Sequence, residues 1–188
     1  MKGIQRNHLS GISLILSISL SLPPFRAFII NDMMIQMDVQ IPLLTLTGIL
    51  LKVPNKLIFD KLNRLNSYGL SSFIFTQVVL AYWMLPISID RAVIFWQYDV
   101  AKNFSLILCG INIRVAFTKS TLVMQLFFLG YFLSMMTWIG EFYLQSNERL
   151  CNVYTQNSQQ NAGLGLIFIA ATVFFIWMYS NIKNRSLY

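Results

Sequence analysis

The segment Asp32-Met33-Met34-Ile35-Gln36-Met37-Asp38-Val39-Gln40-Ile41-Pro42 concentrates soft sulfur, carboxylate and amide groups at the head of an apolar run. At helical pitch Met33 and Met37 share one face, and Met34 and Asp38 share another. Thioethers select Cu(I) over harder ions, and a cysteine thiolate strengthens such a set. Met84, at the end of a later run, and Cys151, in a polar loop, complete a candidate Cu(I) ligand group of Met33, Met34, Met37, Met84 and Cys151. Asp38 and Gln36 stand beside it as outer partners. Methionine is also an ordinary gap-filling and lipid-facing residue, which accounts for the same positions without a metal. Asp38 carries a similar pair of meanings. A carboxylate at membrane depth must face a bundle interior or a wet cavity; at a helix start it is stabilised by the helix dipole.

Other chemistries are excluded by what is missing. There is no P-loop, GxGxxG or HExxH motif, and the single histidine, His8, rules out a Ser/His/Asp set elsewhere in the chain. No acid, base and nucleophile converge, so no enzyme is expected. Cys109 lies in an apolar run and Cys151 in a polar loop, so no disulfide between them is expected, and zinc-type CxxC spacing is absent.

The elements that position these residues are membrane spans. The chain is 56% apolar and 11% charged, against roughly 25% charged in soluble domains. Six apolar runs of span-like character lie near 9–22, 34–51, 69–89, 103–117, 121–143 and 162–179. Their unbroken apolar character predicts helices and not barrel strands. The expected fold is all-α, a single polytopic membrane helix bundle over residues 1–188. The first run, Leu9 to Leu22, is short and ends at Pro23-Pro24; an uncleaved signal anchor is preferred over a cleaved signal peptide. Pro42 is expected to kink the second run. In the fourth, Arg114 is expected to snorkel, and Gln77 and Asn112 are expected to make interhelical hydrogen bonds.

Charge is sorted along the chain. Ten of fourteen Lys/Arg, among them Lys52, Lys56, Lys61, Arg64, Arg114, Lys119 and Lys183, fall in alternate gaps between runs. Six of seven acidic residues, Asp32, Asp38, Asp90, Asp99, Glu141 and Glu148, fall in the others. Translocated loops are depleted of Lys/Arg, so both termini are expected in the cytoplasm. Lys56 to Leu65 reads as a basic amphipathic surface helix. The segments 23–33, 90–102 and 145–161 are then extracytoplasmic, with Tyr82, Trp83, Trp96, Trp138 and Tyr143 as an aromatic belt and Asp90-Arg91 as an ion pair. The net charge of +7 is this bias plus attraction to anionic headgroups. It does not imply nucleic acid, which needs a continuous basic surface.

The second run, Met33-Met34-Ile35-Gln36-Met37 leading into Pro42-Leu43-Leu44, resembles the CtaG-like assembly proteins of bacterial cytochrome oxidases. Stretches at Gln40–Leu44, Tyr82–Pro86 and Arg149–Asn152 are similar to those of uncharacterised bacterial inner-membrane proteins. The resemblance implies an inner-membrane accessory protein passing copper to a respiratory oxidase. Histidines expected in that family's second-span motif are absent here, so Met and Cys would replace imidazole. A metal-free structural subunit and a small transporter are the other function classes the sequence leaves open.

Overall fold

The computed structural model describes residues 26, 29–51, 66 and 68–183, together with the helical backbone of 184 and 185. His8, the run Leu9 to Leu22 and the segment Lys56 to Leu65 lie outside the described residues. Among those described, the secondary structure is all helical. The helices are α1, Ile35–Leu50; α2, Leu70–Trp83; α3, Pro86–Ile94; α4, Trp96–Lys119; α5, Leu122–Gln145; and α6, Gln156–Arg185. Three of them, α4, α5 and α6, are long and apolar enough to cross a membrane, and α2 with α3 makes a fourth if that bent pair is one span.

Local sequence explains the boundaries. Pro86 cannot donate to the helix that precedes it but suits a first helical turn. The run expected to continue from Gly69 to Ile89 therefore breaks at Met84-Leu85, and α3 leaves at 71° to α2. The expected loop 90–102 is largely helical for the same local reasons. Ile94 ends α3, one extended residue follows, and α4 starts at Trp96 with Asp99 in its positive first turn. The fourth run is thus longer than its apolar part. Thr121 caps α5 by accepting the Met124 N–H.

Helix α1 begins with a π-helical stretch, Ile35–Gln40. Ile41 donates to the Gln36 carbonyl, five residues back, immediately before Pro42, which has no N–H to give. The expected distortion at Pro42 takes this form, a widened turn ahead of the proline.

Two glycine contacts set the close helix approaches. Gly48 of α1 and Gly110 of α4 meet so tightly that a Cβ on Gly48 would fall on the Ile107 carbonyl oxygen, and one on Gly110 on that of Thr45. Gly140 of α5 and Gly163 of α6 press against each other's backbone in the same way. Gln77 donates to the Phe128 carbonyl at 2.8 Å, and Ser72 to Asn112 Oδ1 at 3.1 Å, so both expected interhelical amides are used between helices. Arg114, half-buried, donates to the Leu51 carbonyl at 3.0 Å, where α1 ends.

The molecule thus has two parts, α1 to α4 and the hairpin α5–α6. They join at the end carrying Met33, Cys151 and Asn152, called the polar end, and again where Phe73 of α2 stacks on Phe128 of α5. The opposite, basic end carries Arg114, Lys119 and Lys183.

Gly48→Val should lower stability by about 1–3 kcal/mol or more, because backbone has to move. Gly130, with nothing within 4 Å of a built Cβ, is the control. Thermal melts in detergent should show a clear loss for Gly48→Val and none for Gly130→Ala.

Candidate functional site

The polar end holds a sulfur pair. Cys151 Sγ lies 3.8 Å from Met33 Sδ, its thiol directed at the thioether, and 3.9 Å from the Pro86 carbonyl oxygen. Met33 and Cys151 are essentially inaccessible, at 0% and 1% exposure. The loop after α5 brings Cys151 there because Asn152 N donates to Asp90 Oδ2 at 2.8 Å and Leu150 N to Gln159 Oε1 at 2.9 Å. Met33 is fixed by its own N–H, which donates to Ser158 Oγ at 2.8 Å, and Ser158 in turn donates to Asp32 Oδ1 at 2.6 Å. Tyr154 donates to Gln36 Oε1, tying the same loop to the π-helical turn.

The expected ligand set divides. Met33 and Cys151 converge; Met37 and Met84 are buried nearby in the core and reach the cavity between the two parts. Met34 does not join them. It is 40% exposed, because it is turned about 100° around the helix from Met33, out of the shared face of Met33 and Met37. Among the described residues no group of three or more His, Cys, Asp or Glu gathers, so borderline or hard metals find no cluster. Two sulfurs binding one ion at about 2.3 Å each, the Zn–S length, stand at most about 4.6 Å apart. The observed 3.8 Å falls inside that limit, so the pair fits one soft ion. Burial, aided by the Asp90 carboxylate beside it, pushes the Cys151 thiol up to about 12.

Beneath this pair lies a belt of buried polar groups on the π-helical turn. Gln36 is fully buried, with Nε2 unpartnered among the described residues. Both Asp38 carboxylate oxygens are buried without a hydrogen-bond partner there, and Asp38 occupies the space a Cβ on Gly165 would need. Gly163 and Gly165 are both close-packing positions of α6, Gly163 seating α5 and Gly165 seating Asp38. Gln40 accepts from Lys102 Nζ at 2.9 Å and donates to Asn103 Oδ1 at 3.5 Å.

Lys102 is the residue that sequence reasoning missed. Assigned to a loop, it lies in α4 at 0% exposure, 2.9 Å from Asp99. Asp99 also holds Arg26 at 2.9 Å. The Asp99-x-x-Lys102 spacing of neighbouring turns was the available signal. Three further expectations are corrected. Asp90 does not pair with Arg91 but accepts the Asn152 N–H, while Arg91 lies over the Tyr98 ring at 5.8 Å. Trp83 and Tyr143 are core residues and not belt, donating to Ser105 Oγ at 2.8 Å and the Met84 carbonyl at 2.7 Å. Tyr82, Trp96 and Trp138 are exposed, as a belt requires. Cys109 and Cys151 are both free thiols.

No family model, curated protein or solved structure matches the chain, so its chemistry rests on these residues.

Two outcomes follow. Asp99→Asn should cost about 3–5 kcal/mol by leaving Lys102 buried without its counter-charge. Lys102→Met should cost less, since Asp99 keeps Arg26; denaturant unfolding of the two variants gives the order. The thiolate is the reactive form, so Cys151 in a Cys109→Ser background should resist maleimide at pH 8. A thiol raised in the folded state favours folding fully below the unfolded value near 9, and that contribution fades towards about 12. Labelling followed by intact mass should therefore stay slow until the pH is strongly alkaline.

Proposed function

We propose that this chain is an accessory protein of the bacterial inner membrane, with both termini cytoplasmic and six spans counting Leu9 to Leu22. In this reading it holds Cu(I) on the extracytoplasmic side for delivery to a respiratory oxidase. The single observation supporting it is the buried Met33–Cys151 sulfur pair at 3.8 Å, on the end that carries the acidic loops. A thioether and a thiol meeting in a dry site suit a soft monovalent ion and discriminate against harder divalent ones. Cu(I) binding would displace the thiol proton and leave the two sulfurs sharing the ion. Met37 is the nearest reserve of thioether along the same helix face. Asp38 and Gln36, below the pair, would carry compensating charge and hydrogen bonding.

A second reading is a metal-free structural subunit. Burial that holds Cys151 as a neutral thiol favours it, because such a thiol packs as a small apolar group.

Titration of purified full-length protein with Cu(I) against a chromophoric chelator separates the two. One Cu(I) per chain is expected, with Met33→Leu and Cys151→Ser each weakening it by at least about tenfold. Met34→Leu should leave affinity unchanged. Absence of binding, or binding indifferent to Met33 and Cys151, overturns the copper reading.

A further inference from the structure

A half-open apolar cleft of about 550 Å³ is enclosed by α1, α2, α5 and α6, with α2 closing on α5 at Phe73 and Phe128. Its floor is Met37, Met84 and Met136, under the polar end; its walls run to Phe117 of α4 and Trp177 and Ser180 of α6 at the basic end. From Leu166 to Ser180 the lining follows α6 for fourteen residues, about 21 Å at 1.5 Å per residue. That is the larger part of a hydrocarbon core of about 30 Å. We propose that this cleft binds one acyl chain of an anionic glycerophospholipid from the surrounding bilayer, its phosphate at the basic end.

Two observations choose this occupant. The cleft is narrow, elongated along the helix axes and lined almost wholly by apolar side chains, the shape and chemistry of an extended acyl chain. Its basic end adjoins cations: Arg114 follows Ile113 of the lining, Lys119 closes α4 two residues after Phe117, and Lys183 stands three residues beyond Ser180. The chain also leaves that end at Leu51 and returns at Asn66, and the intervening sequence holds Lys52, Lys56, Lys61 and Arg64 against the single acid Asp60.

The full-length protein in nanodiscs tests this with phosphatidylglycerol or phosphatidylcholine bearing a photoreactive group at the acyl terminus, with crosslinks read by mass spectrometry. Phosphatidylglycerol should label the floor around Met84 and Met136. Phosphatidylcholine should label it less, by roughly fivefold for each basic side chain engaged. Leu129→Trp and Ile169→Trp, which fill the cleft from α5 and α6, should each remove floor labelling while leaving labels on the exposed Phe127 and Tyr131 face. Equal floor labelling by both lipids overturns the anionic headgroup. Labels confined to the outer faces of the wild-type protein overturn the site. A co-purifying isoprenoid or quinone displaced by neither lipid, seen by native mass spectrometry, overturns the lipid as occupant. The wild-type comparison decides even if a tryptophan variant does not fold.

Discussion

A completely buried lysine constrains everything around it. Lys102 has no route to water, so its charge must be met inside the bundle, and Asp99 and Gln40 meet it. Removing an ammonium from water costs several kcal/mol, recovered only when the geometry of its partners is held firmly. That requirement places Gln40, and with it the π-helical turn, against α4. It also places Arg26, which shares Asp99 and so anchors the chain ahead of α1 to the same helix. Because Gln40 meets Lys102 and Gly48 meets Gly110, α1 and α4 run side by side in the same direction. The register of one pair fixes that of the other.

The joint between the two parts of the molecule is polar at one end, while towards the other Phe73 stacks on Phe128 at 4.7 Å and Gln77 donates to the Phe128 carbonyl. Asn152 to Asp90, Tyr154 to Gln36, Met33 to Ser158 and Tyr143 to the Met84 carbonyl all cross it at the polar end. The last of these depends on Pro86. By ending α2, the proline leaves backbone at Met84-Leu85 outside a continuous helix, and the buried phenol of Tyr143 takes up the Met84 carbonyl that results. Irregular backbone at membrane depth is tolerated where protein covers it, as here. Between this joint and the Phe73–Phe128 contact the apolar cleft lies between the two parts, with the sulfur pair beyond its floor.

Much of this was readable in the chain. Apolar run length located α5 and α6 because hydrocarbon thickness dictates it, although α6 begins six residues before its apolar part, at Gln156. The convergence of Met33 and Cys151 was legible only as chemical softness; nothing in the sequence indicates that a loop beyond α5 folds back over α1. Lys102 was misplaced because charge counting assigns a residue to a side of the membrane and not to the inside of a bundle. Trp83 and Tyr143 were misread for a related reason. Residue type predicts depth, but which face of a helix meets a neighbour is decided by packing, and a hydroxyl or indole N–H can be satisfied by a backbone carbonyl or a serine as well as by headgroups.

The close-approach glycines differ in what stands in their way. At Gly48 and Gly110 the obstructing atoms are main-chain carbonyls, which every amino acid carries. No replacement on the facing helix can make room, so these positions have no second-site suppressor. Gly165 is blocked instead by the Asp38 carboxylate, a side chain that can be shortened. A larger residue at 165 is therefore compatible with the fold only in a sequence that has given up Asp38, which makes those two positions a genetically coupled pair between α1 and α6.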